Sequence, residues 1–87
     1  MFIALKAKGY LFYFISDNAL EPMCVNVESN DRRQYAKFWL NPLALDRATG
    51  FKSNELGHVT DMVISHLPTL RKEWGNFFKD KTKGKKL

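Results

Sequence analysis

Met23-Cys24-Val25-Asn26-Val27-Glu28 and Gln34-Tyr35-Ala36-Lys37-Phe38-Trp39-Leu40 both alternate residue by residue. Successive side chains of a strand point to opposite faces, so each run carries one apolar and one mixed face. Met23, Val25 and Val27 fall together, as do Ala36, Phe38 and Leu40. Ser29-Asn30-Asp31-Arg32-Arg33 between them is polar and turn-like. An antiparallel hairpin that keeps apolar against apolar sets Val25 opposite Phe38, Val27 opposite Ala36 and Met23 opposite Leu40. The same register sets Cys24 opposite Trp39, Asn26 opposite Lys37 and Glu28 opposite Tyr35. A slip of one residue would mix the two faces, so the pattern selects this pairing.

The rest of the chain extends this reading in both directions. Phe2 to Lys8, stopping at Gly9, and the aromatic run Tyr10 to Ile15 read as strands. Ser16-Asp17-Asn18 signals a turn, and Pro22 keeps the following loop from being helical. Asn41-Pro42 ends the Gln34–Leu40 strand and a short Leu43-Ala44-Leu45 segment follows, with a turn at Thr49-Gly50. Leu56, Val59, Val63, Leu67, Leu70, Trp74 and Phe77 then recur at three- and four-residue steps, a helical stripe with Ser53 as N-cap and Glu55 in the first turn. Pro68 interrupts it and predicts either a kink or a break into two helices, with Pro68 in the first turn of the second. The expected fold class is α+β: a small antiparallel sheet of three to five strands packed against a kinked or broken C-terminal helix. The expected core holds Phe12 or its neighbours, Val25, Val27, Phe38, Leu40, Leu56, Val59, Val63, Leu67 and Trp74. Phe78 is the helix-end aromatic expected to stay exposed.

Composition bounds what such a domain does. Eighty-seven residues make one domain, and 45% hydrophobic with 14% aromatic content is far from a disordered composition. The net charge of +5 is concentrated at one end. Residues 79–87 carry +4, and the other 78 residues are close to neutral at +1. The expectation is a single domain over 1–78 with a flexible lysine-rich tail over 79–87. A lone cysteine excludes an internal disulfide and a cysteine-cluster metal site. No apolar run is long enough to span a membrane and no signal-peptide pattern opens the chain, so a cytoplasmic location is expected.

The ordered set Phe14-Ile15-Ser16-Asp17, Glu21-Pro22-Met23-Cys24-Val25-Asn26-Val27, Ala36-Lys37-Phe38-Trp39-Leu40-Asn41-Pro42, Gly50-Phe51 with Glu55-Leu56, and Trp74-Gly75-Asn76-Phe77-Phe78 resembles the bacterial domain-of-unknown-function family 4160. The likeness runs from about Tyr10 to Phe78. It implies a small protein often encoded beside a second small protein of another uncharacterised family, an arrangement like toxin–antitoxin pairs. Members of that family usually read Glu-Pro-x-His-x-His-Val where this chain has Cys24 and Asn26. Two imidazoles on one strand face would suit a metal or acid–base work. Asparagine transfers no proton at neutral pH, and a cysteine does so only with a lowered pKa.

The mixed face of the hairpin therefore supplies the candidate residues. Cys24, Asn26 and Lys37 are the catalytic candidates, although Cys24 also reads as a small apolar filler beside Trp39, and a long lysine usually reaches solvent. Tyr35 and Trp39 are the binding candidates, with Lys81, Lys83, Lys85 and Lys86 in the tail. Asp17 and Glu21 form a candidate acidic pair. His58 and His66, two helical turns apart, are too distant to share a metal. No metal and no cofactor is assigned. The resemblance implies a toxin-like component of a two-gene toxin–antitoxin-type module that binds a cognate small protein; whether it is also an enzyme is open, and the replacement of the paired histidines by Cys24 and Asn26 leans against it. One alternative is a ribonuclease-like toxin using Cys24, Asn26 and Lys37. The other is a non-catalytic binder of RNA or DNA through the tail. A second copy of the chain is a further candidate partner, through an exposed Tyr13 or Phe14 edge.

Overall fold

The computed structural model describes residues 1–83, with the side chains of Ala19 and of residues 79–83 excepted. The tail assigned to 79–87, with Lys81, Lys83, Lys85 and Lys86, therefore has no described side chain. Five strands, β1 (Phe2–Ala7), β2 (Tyr10–Phe14), β3 (Cys24–Ser29), β4 (Tyr35–Leu40) and β5 (Leu43–Thr49), form one antiparallel sheet in the order β1-β2-β3-β4-β5. Two helices follow, α1 (Ser53–Ser65) and α2 (Leu67–Lys83). This is an α+β fold.

Local chemistry explains the connections. Lys8 and Gly9 join β1 to β2 with φ of +51° and +86°, the left-handed conformation a two-residue hairpin requires. A 3-10 segment, Ser16–Leu20, links β2 to β3 where the sequence signals a turn. At the β3–β4 turn, Ser29 Oγ donates to Asp31 at 2.6 Å and accepts from the Gln34 N–H at 3.1 Å. Asn41 and Pro42, joined by a cis peptide bond, connect β4 to β5. Gly50 has φ +81°, and a Cβ there would collide with the Arg33 carbonyl oxygen. Only glycine serves at that point.

The β3–β4 register is the one the alternation predicts: Cys24 opposes Trp39, Val25 opposes Phe38, Asn26 opposes Lys37, Val27 opposes Ala36 and Glu28 opposes Tyr35. The break at Pro68 is also real, since α1 ends at Ser65 and α2 carries Pro68 in its first turn. His66 closes α1 by donating its N–H to the Met62 carbonyl at 3.1 Å. Arg71 Nε donates to the Leu40 carbonyl at 2.9 Å and latches α2 to the end of β4.

Five expectations need correction. Leu43–Leu45 is not a short segment but the start of a seven-residue strand, disguised because a bulge interrupts its alternation. Ser53 is the first helical residue rather than the N-cap. Lys52 holds the cap position, and its N–H donates to Glu55 Oε1 at 2.9 Å. Phe78 is buried, its ring 4.1 Å from that of Trp74. Tyr13 and Phe14 form no edge, because β2 lies between β1 and β3. Lys37 does not reach solvent and is 6% exposed.

Both helices pack on the face that carries Phe12, Phe14, Val25, Val27, Ala36, Phe38 and Leu40. Val59, Met62, Val63, Leu70 and Phe78 close the core from the helical side. Leu56, Leu67 and Trp74, expected in the core, are half-buried against it. The opposite face, called the outer face below, is where the candidate residues lie.

Candidate functional site

Three ladder rows of the outer face place the candidates. Tyr13, Asn26, Lys37 and Arg47 form one row across β2, β3, β4 and β5. Leu11, Glu28, Tyr35 and Thr49 form the next. Cys24, Trp39 and Ala44 form the third. Among the described residues no α-helix covers this face; the 3-10 segment and Glu21 fold back over its centre. An open cleft of about 600 Å³ remains beside them, lined by Ile15, Asp17, Leu20, Tyr35, Lys37 and Arg47 among others.

The centre is a closed hydrogen-bond network. Lys37 Nζ donates to Glu21 Oε2 at 2.6 Å, and the pair's side chains are 7% and 34% exposed. Asn18, 2% exposed, is the hub. Its Nδ2 donates to Glu21 Oε1 at 2.8 Å, while its Oδ1 accepts from the Ile15 N–H at 2.8 Å and from Asn26 Nδ2 at 3.1 Å. Asn26 Nδ2 also donates to the Tyr13 carbonyl at 3.2 Å, and Asn26 Oδ1 accepts from the Tyr35 hydroxyl at 2.7 Å. Tyr13 OH donates to Glu28 Oε1 at 3.2 Å. Lys37 Nζ also sits 4.8 Å from the centroid of the half-buried Trp39 ring, a cation–π contact. Among the described residues no buried side-chain nitrogen or oxygen lacks a partner.

Electrostatics fix the protonation states. Burial pushes the Cys24 thiol up to about 11, the nearby Lys37 charge only partly opposing it and Glu21 adding to it. Burial likewise raises Tyr35, and with Glu28 it takes Tyr13 up to about 12. Burial works against the Lys37 charge, but the Glu21 carboxylate outweighs it and Lys37 ends above the ordinary lysine value. Hydrogen bonds from Lys37 and Asn18 hold Glu21 below the usual carboxylate range. At neutral pH the site thus contains a thiol, phenols, an ammonium, amides and a carboxylate, each far from its titration point.

That pair gives stability a defined pH profile. Glu21 is depressed in the folded chain, so its contribution is full above the unfolded carboxylate pKa and disappears as pH falls through the folded one. Lys37 is raised, so its contribution is full below the unfolded lysine pKa and disappears as pH rises through the folded one. Urea unfolding should show a plateau between these limits, and Glu21→Gln should flatten the acid limb. An unchanged acid limb in that variant would contradict the assignment.

The structure gathers Cys24, Asn26, Lys37, Tyr35 and Trp39 on one face, as their register implies. It does not pair Asp17 with Glu21: Glu21 turns inward to Lys37 and Asn18, and Asp17 is exposed on the cleft rim. His58 is exposed on α1, while His66 is half-buried at the helix junction with Nδ1 2.9 Å from the Met62 carbonyl. Among the described residues no three His, Cys, Asp or Glu side chains group to hold a metal ion, and no helix is long and apolar enough to cross a membrane. Sequence reading missed Asn18 as the hub and Arg47 as the cleft's outer wall. Arg47 stands opposite Lys37 only because β5 exists. Asn18 carries a turn signal with Ser16 and Asp17, but none that marks it as a hub beyond its i, i+3 spacing to Glu21.

A five-strand antiparallel meander, helices on one face and a polar network on the other, defines the class as a small two-layer α+β domain. The chain belongs to the family described as Domain of unknown function (DUF4160), whose model matches residues 9–75. No curated protein and no solved structure matches it.

Proposed function

We propose that this chain is the toxin-like component of a two-gene toxin–antitoxin-type module in the bacterial cytoplasm, acting by binding a cognate small protein rather than by catalysis. The observation that carries the non-catalytic part is the closed network. Lys37 is held as an ammonium by Glu21, Asn26 is occupied by Asn18, Tyr13 and Tyr35, and the Cys24 thiol is fully buried with a raised pKa. A ribonuclease using these residues needs a group that exchanges protons near neutrality, whereas burial raises Cys24 and Tyr35 and the Glu21 contact raises Lys37. Next to the network, Leu20 is 89% and Ile15 38% exposed, with Asp17 and Arg47 on the same cleft. An apolar projection with a charged rim suits a protein contact.

The test is co-expression of the full chain with the product of the adjacent gene. The expected result is a stoichiometric complex, weakened at least about tenfold by Leu20→Asp, with cellular RNA intact on induction. Failure to form that complex at micromolar concentration overturns the reading. So does RNA breakdown on induction that Lys37→Ala abolishes. Loss of the complex on deleting residues 79–87, with steep salt dependence, would move the contact to the lysine tail instead.

A further inference from the structure

We propose that the free edge of β5 pairs with β5 of a second copy of this chain, through a two-fold contact in which Asp46 of each copy meets Arg47 of the other. Among the described residues β5 has no neighbour beyond β4, and Ala44 through Thr49 are all exposed. Such an edge presents unpaired backbone groups along its length. Leu45, opposite the buried Phe38, is on the helix-bearing face yet remains 46% exposed. Leu43, at the start of β5, packs against the core, but that cover does not extend to Leu45.

The bulge in β5 decides what this edge fits. In a two-fold antiparallel pairing, every residue must oppose one that points to the same face of the continuous sheet. In a regular strand that condition allows opposition only between residues an even number of positions apart. An axis through the charged dipeptide would then set Asp46 against Asp46 or Arg47 against Arg47. In β5 the pairing with β4 steps from Lys37–Arg47 to Phe38–Leu45, and Asp46 is the extra residue. Arg47 stands opposite Lys37 on the outer face, and Asp46 lies on the same side, its Oδ2 accepting from Arg47 Nε at 3.1 Å within the chain, a pair that the two-fold contact would share between copies. Leu45 and Ala48 both point to the helix-bearing face, opposite Phe38 and Ala36.

An axis between positions 46 and 47 then satisfies the face condition throughout. Asp46 meets Arg47 twice, Leu45 meets Ala48 twice and Ala44 meets Thr49 twice. An edge bulge ordinarily discourages pairing; here the displaced residue makes the strand self-complementary in charge and in apolar contact. The other free edge differs. Lys6 on β1 and the adjoining Lys8 would bring like charges together in a pairing of two copies.

Sedimentation equilibrium on the full chain, run over increasing concentration, tests this. The expected species is a dimer of about 20 kDa, twice the 10.1 kDa chain. Arg47→Asp sets acid against acid in both reciprocal pairs and should weaken the dimer at least about tenfold. The exchanged double variant, Asp46→Arg with Arg47→Asp, restores the reciprocal pairs and should recover most of the loss. Lys6→Glu on the other edge should leave the dimer unchanged. All three changed positions, Lys6, Asp46 and Arg47, are exposed, and circular dichroism confirms that each variant folds. A chain that stays monomeric to about 0.5 mM overturns the proposal. So does a dimer insensitive to Arg47→Asp, or one that Lys6→Glu disrupts.

Discussion

Phe14→Ala is expected to destabilise the chain by about 3–5 kcal/mol, the usual loss for truncating a buried phenylalanine. Phe14 is fully buried and lies where the sheet meets the middle of α2. Its ring stacks with Phe2 and Phe77 at centroid separations of 6.0 and 6.2 Å and meets Trp74 edge-on at 5.5 Å. Removing it leaves a cavity bordered by β1, β2 and α2 together, so no single side chain can collapse into the space. A domain of this length has a total stability of roughly 4–13 kcal/mol, so the variant should retain little margin. Thermal unfolding should move down by more than about 10 °C. Ile3→Ala, at a position 45% exposed, should cost under about 1 kcal/mol in the same experiment. Equal losses for the two would contradict the description of this end of the core.

Asn18→Ala should have the next largest effect, about 2–4 kcal/mol. The substitution removes one acceptor and one donor that together serve three groups: the Ile15 N–H, Asn26 Nδ2 and Glu21 Oε1. Each buried group left without a partner costs about 1–3 kcal/mol. Asn26 Nδ2 keeps the Tyr13 carbonyl and Glu21 keeps Lys37, so the loss stays below the full sum. The 3-10 segment should then detach from the outer face. Hydrogen exchange of the Ile15 amide reads this directly and should accelerate far more than exchange in β4. A variant as stable as the parent would show that the 3-10 segment is held by something other than Asn18.

The two faces of the sheet were not equally legible in the sequence. Alternation in β3 and β4 specifies both register and inward residues, because a one-residue slip is heavily penalised when one face is buried. Pro68 marks the helix break because its missing N–H and its ring forbid a continuous helix. The outer face was another matter. Its composition follows from the same alternation, but whether Lys37 meets solvent depends on what folds back over it. That cover is the 3-10 segment and Glu21, loop residues with no periodicity. β5 escaped for a related reason: the bulge at Asp46 turns two successive residues to one face and erases the alternation that reveals a strand. Phe78 was misplaced because helical spacing says which residues share a stripe, not how far the sheet extends beneath them.

The outer face is a closed hydrogen-bond network that keeps Cys24 a buried thiol, and the reactivity of Cys24 reads this out. The rate of its reaction with an aromatic disulfide reagent would be measured from pH 7 to 10, in the folded chain and in denaturant. A thiol held near 11 has about a hundredfold less thiolate at neutral pH than an ordinary cysteine. Full burial slows the reaction further. The predicted result is a folded-state rate at least about a hundredfold below the denatured one, rising steadily to the top of the pH range. A folded-state rate equal to or above the denatured rate at pH 7 would mean an accessible, activated thiolate, and would contradict the account.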